Sequence, residues 1–473
     1  MKFAMLLTVS IAVLMVNSQA QHYSAIHGSN YSGGLGVYNN PSSIVDAPFK
    51  WDLTLFATQF QTITNAVRGP NFPLNLSPNN EYFAATGNYK RFGDVNLNLR
   101  LLNTRIAIDN NSAIAFGVNL RSNTQVNTEK VNYNDSVFGP RTFLFYNQDN
   151  PELEARATSS SWMEFYLAYA RTLYNNETER LNVGASLKIL RGMAGGFAEL
   201  NNIGIEEIND NDRTLYIVAG GTGRYGYSAN IGDGSSFTAS NLFSGIRTGF
   251  SLDLGVEYFI KSQSVSTMFD DESLPDYDWK IGASLLDIGW NSYVHNTANR
   301  EAAGFIENVD GQILTDKFNG VNDVASFNDT VATLVNQIDS LQGNFKIAMP
   351  ARAVINVDRY LSGNFYLNTQ LSLNLASGRG NNLAVKEPAF LTVTPRWETR
   401  KLGFFMPVQV NRHGNFWVGV AVKAGPLLLG THNLLNAFSK TKYISGGAYI
   451  AITIRPINMI RSVTSRQYDC PEY

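Results

Sequence analysis

Apolar and polar residues alternate one by one along much of this 473-residue chain. Residues 93–102 are typical, because Val95, Leu97 and Leu99 alternate with Asn96 and Asn98. The same pattern recurs at 113–121, 181–189, 250–258, 367–375, 404–411 and 416–423. Successive side chains of a strand point to opposite faces, so this period of two predicts β-strands with one apolar face.

Further strands are predicted at 50–64, 161–173, 278–289, 344–358, 389–399, 426–431 and 443–454. The total is 14, or 16 if residues 197–208 and 212–228 form an additional hairpin. Short turns alternate with long connections, which are rich in Gly, Asn, Asp and Pro. One long connection contains a helix candidate, 322–342, with apolar residues three and four positions apart. We therefore predict an all-β chain with one helix in a long extracellular loop.

Composition excludes several classes of protein. Only 16% of the residues are charged, and 37 Lys and Arg nearly balance 39 Asp and Glu. An ordinary soluble domain has roughly 25% charged residues, and a nucleic-acid binder needs a basic surface. The mean hydropathy is −0.14, and beyond the N-terminus no run approaches the roughly 18 apolar residues of a membrane helix. Cys470 is the single cysteine, which excludes an intramolecular disulfide and cysteine-rich zinc sites.

The N-terminus predicts export. Lys2 precedes the apolar run 3–16 and then Asn17-Ser18-Gln19-Ala20, a signal-peptide pattern with cleavage after Ala20. The alternative is an N-terminal membrane anchor, for which the apolar run is short. No change in composition divides the rest of the chain. We expect a signal peptide at 1–20, an N-terminal segment at 21–49, a barrel at 50–455 and a periplasmic tail at 456–473, either disordered or docked on a partner.

These strands and connections are typical of an outer-membrane β-barrel. A sheet that spans lipid must close on itself, because every backbone group needs an internal partner. The alternative is a secreted β-sandwich or solenoid, in whose dry core the polar strand faces would be costly. In a barrel, aromatic residues near predicted strand ends would form the two interfacial girdles: Trp51, Trp162, Tyr174, Phe259, Trp279, Trp290, Tyr360, Phe365, Trp397 and Trp417. We expect localisation in the outer membrane of a Gram-negative cell, in contact with its lipid.

The predicted inner face is polar and carries both signs of charge. Its cations are Arg100, Arg121, Lys188, Lys280, Arg352, Arg396 and Lys423, and its acids are Glu164, Asp253, Glu257, Asp358 and Glu398. A pore lined in this way would select weakly by charge; alternatively, these groups pair and fill the lumen. A barrel of this size leaves interior space. Segment 21–49, rich in Gly, Ser and Asn, is the predicted plug, and a disordered periplasmic tail is the alternative.

No catalytic, cofactor or metal site is predicted. Residues 221–226 match GxGxxG, but strand-like alternation continues where a dinucleotide-binding fold needs a helix. Asp287 stands at the end of a predicted strand, either as a turn cap or as a rim site. The five histidines share no metal-ligand spacing on one element: His22, His27, His295, His413 and His432. We expect neither enzyme activity nor a nucleic-acid partner.

Asn40-Pro41-Ser42-Ser43, just before the first predicted strand, resembles the N-terminal Asn-Pro motif of the long-chain fatty-acid transporter (FadL-like) superfamily. That resemblance implies a 14-stranded barrel whose N-terminal segment, with Asn40, Pro41 and Ser42, folds inward as a hatch. The serines replace small apolar residues of the transporters, and the inner face is polar. Both departures argue against fatty-acid binding.

The chain is more similar to a Bacteroidetes family of outer-membrane barrels of unknown function. Three stretches carry this similarity, which runs over most of 30–455: residues 282–289 (GASLLDIG), the strand containing Met349-Pro350, and residues 425–430 (GPLLLG).

Two functions are compatible with these features. The first is a passive channel or transporter for small or hydrophobic molecules, gated by residues 21–49. The alternative is a non-conducting barrel that serves as a subunit of a larger outer-membrane complex, with its long loops and tail contacting other outer-membrane or periplasmic proteins. The resemblance to transporters favours the first.

Overall fold

The computed structural model describes residues 24–70, 82–134, 139–150, 152–210, 213–231, 243–261, 277–306, 309–376, 382–435, 441–443 and 445–456. The predicted signal peptide 1–20, His22, Cys470 and almost all of the predicted tail 456–473 lie outside the described residues.

Strand is the dominant secondary structure of the described residues. The segments in chain order are β1 Trp51–Thr64, β2 Val67–Pro70, β3 Phe83–Ala84, β4 Gly87–Ala107, β5 Ser112–Tyr133, β6 Leu153–Asn175, β7 Glu179–Asp210, β8 Arg213–Ala219, β9 Thr222–Tyr227, β10 Arg247–Ile260, β11 Trp279–Val294, β12 Arg300–Phe305, β13 Val335–Ser340, β14 Asn344–Ala348, β15 Arg352–Ser362, β16 Phe365–Asn374, β17 Leu383–Ala384, β18 Phe390–Glu398, β19 Leu402–Phe405, β20 Val408–Asn411, β21 Phe416–Val418, β22 Val420–Ala424, β23 Leu427–Thr431, β24 Thr441–Tyr443 and β25 Gly446–Ile454.

The sheet closes on itself as an antiparallel barrel. β1 pairs with β25 along most of its length and with β4 at both of its ends. Within the described residues the barrel has fourteen strands: β1, β4, β5, β6, β7, β10, β11, β14 with β15, β16, β18, β19 with β20, β21 with β22, β23, and β25. The prediction of a closed antiparallel barrel of 14 strands is confirmed.

The two ends of the barrel differ. Short turns, such as those at 108–111, 176–178 and 399–401, lie at one end, which we call the turn end. Long connections lie at the other, the loop end, where β5, β6 and β7 reach 22, 23 and 32 residues. The additional hairpin exists but adds no barrel strand. β7 is continuous through 197–208, and β8 and β9 fold back against its loop-end half.

Three α-helices are described, all in loop-end connections: α1 Pro140–Asn147, α2 Gly311–Phe318 and α3 Val324–Ala332. The predicted helix 322–342 is therefore wrong beyond Ala332. α3 starts at a capping box between Asp323 and Ser326, whereas 335–340 forms β13 and pairs with β12. β12 pairs with β9 along one edge, and its other edge offers backbone hydrogen-bond partners to residues 335–340. This pairing outweighs the short helical periodicity of the segment. No helix in the described part of the chain is long and apolar enough to cross a membrane.

The outer face of the barrel is apolar. Leu167 and Leu187 pair across β6 and β7 and are 59% and 58% exposed. Trp279, the first residue of β11, and Trp290, four residues before its end, are also exposed. At about 3.3 Å per residue and a tilt of about 40°, they are separated by roughly 25–28 Å along the barrel axis, close to the height of a lipid-facing band. This outer surface therefore fits a hydrocarbon layer.

The girdle prediction is wrong for Trp162, Phe259 and Trp417, which are buried inside the barrel. Their positions follow from strand parity: the alternation that turns Glu164 inward also turns Trp162 inward, two residues earlier. Proximity to a predicted strand end was the wrong criterion for these residues. Whether a side chain faces lipid or the lumen depends on its odd or even position along the strand.

Candidate functional site: the occupied lumen

The N-terminal segment lies inside the turn-end half of the barrel. Residues 24–49 form three short 3₁₀ helices, Ser24–Ile26, Gly33–Tyr38 and Pro41–Val45, and almost all of their side chains are buried. Apolar residues of this segment pack on apolar wall residues in two places. One group is Ala25, Ile26 and Leu35 near β1 and β25; the other is Val37, Ile44 and Val45 near β5 and β6. We call residues 24–49 the plug.

Wall cations hold the plug by its backbone. Arg105 donates to the carbonyl oxygens of Ile44 and Phe49, at 2.5 and 2.7 Å. The pattern recurs around the wall: Lys280 and Arg396 donate to Gly28 O, Arg352 to Tyr38 O and Arg455 to Tyr31 O. Water can make each of these hydrogen bonds in place of the plug, so they suit a reversible attachment.

Wall acids complete the attachment. Asp52 accepts from Gly34 N at 2.8 Å, and Glu398 accepts from Ser29 Oγ and Asn30 N at 2.5 and 3.2 Å. Charge-assisted hydrogen bonds of this kind are stronger than neutral ones. Both signs of wall charge therefore contribute to binding the plug.

The Asn-Pro motif rests on two wall glycines. Asn40 caps the helix Pro41–Val45 by accepting from Ser42 N and Oγ, while its Nδ2 donates to Val256 O at 2.9 Å. Gly184 of β7 and Gly255 of β10 pair directly beneath it. A Cβ at Gly184 would lie 2.6 Å from Pro41 C, and one at Gly255 would lie 2.8 Å from Pro41 Cδ. Only glycine permits this approach.

An ion-pair cluster lies in the middle of the lumen. Asp287 accepts from both terminal nitrogens of Arg121, at 2.8 and 2.9 Å, and from Lys188 at 2.6 Å. Lys188 also contacts Asp253 at 2.7 Å. Asp287 belongs to a β-bulge and has a φ of 57°, which turns its carboxylate inward from mid-strand. Both sequence interpretations of Asp287, a turn cap and a rim site, are therefore wrong.

Glu387 connects this cluster to the plug. It lies between β17 and β18 in a segment, 385–389, that folds into the lumen. Arg121 and Arg352 contact its two carboxylate oxygens at 3.2 and 2.5 Å. Because Arg352 also donates to Tyr38 O at 2.8 Å, one guanidinium group joins the plug to the inserted segment.

A cavity of 410 Å³ opens at the loop end. It is bordered by β4, β5 and β6, by segment 385–389, and by Arg412 and His413 in the turn between β20 and β21. His413 stacks on Phe92 with ring centroids 3.9 Å apart. Burial, and then the charge of Arg412, lower the pKa of His413 below its usual 6.5. His413 is therefore neutral near pH 7, and the basic groups of the cavity are arginine and lysine.

The model of the Family of unknown function (DUF5723) matches residues 41–432. The chain belongs to this family. The predicted membership in a family of unknown function is confirmed, whereas a Bacteroidetes origin stays a prediction. A search of curated proteins finds no match.

Three solved structures illustrate the similarity of architecture. A Pseudomonas aeruginosa FadL homologue has 8% identity and a TM-score of 0.41, with 93% of this chain and 99% of that chain covered. The Ralstonia pickettii toluene transporter TbuX has 11% identity and a TM-score of 0.37, and a TodX deltaS2S3 mutant, a monoaromatic hydrocarbon channel, has 8% and 0.40. Each of these two covers 89% of this chain and 94% of its own. Similarity at this level does not identify what this chain binds.

All twelve charged residues predicted for the inner face are buried within the barrel: Arg100, Arg121, Glu164, Lys188, Asp253, Glu257, Lys280, Arg352, Asp358, Arg396, Glu398 and Lys423. Most of them contact the plug or one another. Arg100 lies over the Tyr38 ring, with its guanidinium carbon 3.4 Å from the centroid.

The inward-facing charged residues that sequence reasoning did not place include Asp52, Arg105, Asp287 and Glu387. The alternation contains a signal for Asp52, which precedes the outward Leu53 in β1. Arg105 and Asp287 follow or form bulges, and Glu387 lies outside the predicted strands, so the period of two could not place them.

The motifs that sequence analysis set aside lie in ordinary structural positions. Residues 221–226 belong to the turn before β9 and to β9 itself, as the alternation predicts. His432 contacts Gln59 at 2.9 Å within the wall. Among the described residues, no group of three or more His, Cys, Asp and Glu could hold a metal ion.

Proposed function

We propose that this chain is an outer-membrane channel for small solutes whose lumen is opened by release of the plug. The outer apolar face supports contact with lipid, and a closed antiparallel barrel satisfies its backbone there. The predicted signal peptide accounts for export. On this proposal Asn40, Pro41 and Ser42 act as the seated end of a hatch.

The way in which the plug is attached carries this proposal. A lumen that served only as a rigid core would be filled from its own wall, with apolar side chains interdigitating. Here a separate N-terminal segment fills the turn-end half, held at Gly28, Tyr31, Tyr38, Ile44 and Phe49 by wall cations on backbone carbonyls. Water can replace these contacts when the plug leaves, so the exposed wall remains solvated.

Apart from the two places where apolar plug residues pack on the wall, the inner wall is polar, which favours small hydrophilic solutes over hydrocarbons. Asn98, Asn119 and Asn123 are buried inward residues of β4 and β5. Transfer of an apolar molecule to such a wall gains little, because the amides lose water without gaining hydrogen bonds.

A reversible tether tests this function. Ser284 Oγ donates to the backbone oxygen of Asn39 at 2.7 Å, so the tether to test is an Asn39→Cys/Ser284→Cys pair in a Cys470→Ser background, with disulfide formation verified by mass spectrometry. In planar bilayers we expect little current from the oxidised protein and discrete openings after reduction. Each single-cysteine variant is the matched control and should not respond to oxidation.

The outcome also separates the two functions. No current from the reduced variant or from the unmodified protein would overturn the channel proposal and favour a non-conducting subunit. Equal current from oxidised and reduced protein, with disulfide formation verified by mass spectrometry, would show that the plug is not the gate.

A further inference from the structure

The loop-end cavity contains both signs of charge on different elements. Asp94, Glu129 and Glu154 come from the neighbouring strands β4, β5 and β6. Lys386 and Arg412 come from two connections, segment 385–389 and the turn between β20 and β21. The acids therefore stand on the barrel wall, and these bases stand on connections that fold over the lumen.

Two of these charges are available to a ligand. Within the described part of the chain, Glu154 and Arg412 make no ion pair, although both border the cavity. By contrast, Glu129 is paired with Lys90, and Arg156 with Glu199. An acid and a base that face the same cavity without ion-pair partners there can bind the opposite charges of one molecule.

The cavity is fixed in place by the inserted segment. Gln125 Nε2 donates to Lys386 O at 2.9 Å and to Asp94 Oδ1 at 2.8 Å, which joins this segment to β5 and β4. Lys386 and Arg412 both lie within electrostatic reach of the Asp94 carboxylate. The volume of 410 Å³ is within the range of small-ligand sites, about 300–1,000 Å³.

We propose that this cavity binds small zwitterionic solutes of the peptide class, with the ligand ammonium on Glu154 and the ligand carboxylate on Arg412. Glycine-like backbones suit the cavity because its uncharged lining is rich in amides, including Asn127, Asn201 and Asn374. The assignment as a transported substrate class rests on the proposed channel function, whereas the binding site itself does not.

Glycine peptides test the site directly. The full chain, purified in detergent, is titrated by calorimetry with triglycine, N-acetyltriglycine and triglycine amide. We expect triglycine to bind at least about tenfold more tightly than either blocked form, since a hydrogen bond to a charged group contributes about 1.5–3 kcal/mol.

Two charge-neutral variants assign the ends. Arg412→Gln should remove the preference for triglycine over its amide, and Glu154→Gln should remove the preference over the N-acetyl form. Glu152→Gln and Lys130→Gln, both at exposed residues of the same region, are matched controls and should bind as the unmodified protein does.

Equal affinity for the three peptides, or no binding by any of them, would contradict the proposed binding site for zwitterionic solutes. Calorimetry measures binding independently of current. A negative result for the binding site is therefore distinguishable from a negative result for the channel function. Binding without conductance would leave this site and remove its transport role, whereas conductance without binding would leave the channel and remove this solute class.

Discussion

Alanine at Gly184 and Gly255 should loosen the plug from its seat. These glycines pair across β7 and β10, and the Asn-Pro motif lies directly on them. A Cβ at Gly184 would lie 2.6 Å from Pro41 C and Ser42 N, whereas ordinary contacts begin at 3.4 Å. The plug would have to retreat by about 0.8 Å at this point, because the wall strands are fixed by their ladders on both sides.

The expected magnitude follows from this overlap. Overpacking of a well-packed site costs about 1–3 kcal/mol. A Cβ at Gly255 would also overlap Asn40 Oδ1, the atom that caps the helix Pro41–Val45. If the double variant raises the free energy of the seated plug by about 2 kcal/mol, the unseated fraction rises about 30-fold, since each 1.4 kcal/mol is tenfold. The overlap disappears when the plug leaves, so the empty barrel is not strained.

Labelling of a buried reporter measures this fraction. Ser42 is fully buried, and Ser42→Cys in a Cys470→Ser background reacts with a maleimide only when the plug is unseated. We expect labelling to be about 30-fold faster in the double alanine variant, with more frequent channel openings. Gly93→Ala is the matched control, because its Cβ would lie 3.6 Å from Thr64 Oγ1. Equal labelling rates in the double alanine variant and in Gly93→Ala would refute the inference that Gly184 and Gly255 hold the plug in place.

Four further substitutions, one of them a control, have distinct expected effects. Asp287→Asn leaves two buried cations undercompensated and should destabilise the barrel by about 3–5 kcal/mol, seen as a lower temperature of heat-modified migration on gels. The surface pair of Asp278 is about one-third exposed, so Asp278→Asn should cost under about 1 kcal/mol in the same assay. Arg105→Gln loses its hydrogen bonds to plug carbonyls and should accelerate labelling of Ser42→Cys; an unchanged rate would contradict its role. Asp323→Ala removes the cap of α3 and should cost that helix about 1 kcal/mol, increasing proteolysis there without altering plug labelling.

The barrel and the polarity of its interior are predictable because the two faces of each strand have different surroundings. The outer face contacts lipid and is apolar, whereas the inner face contacts the plug or water and is polar. The alternation fails at bulges, where one additional residue reverses the inward parity. In β4, Arg100 faces inward before Leu102, whose φ is 52°, and Arg105 faces inward after it. Arg105 thus escapes a prediction based on period two, although it is a principal contact of the plug.

The alternation also does not predict the full length of a strand. Only about ten residues of each strand need an apolar outer face to cross lipid. β6 and β7 continue beyond that length, as 23- and 32-residue strands. Beyond that length both faces contact water or other loop-end elements. Neither face then needs to be apolar, so the alternation stops although the strands remain hydrogen-bonded. Predicted boundaries therefore mark the lipid-facing part of a strand rather than its end.

The plug seat has a signal in the sequence that the alternation alone can reveal. Gly184 lies between the inward Asn182 and Ser186, and Gly255 lies between Asp253 and Glu257. Glycine weakens a strand interior and offers no side chain to a polar wall, so inward glycines on neighbouring strands need a reason such as the close approach of another backbone. The Asn-Pro motif supplies the atoms that lie nearest to both glycines: backbone atoms of Pro41 and Ser42 at Gly184, and side-chain atoms of Asn40 and Pro41 at Gly255. A barrel that carried its plug elsewhere would gain stability from alanine at both positions, whereas in this chain alanine should stabilise the strands only at the expense of the seated plug.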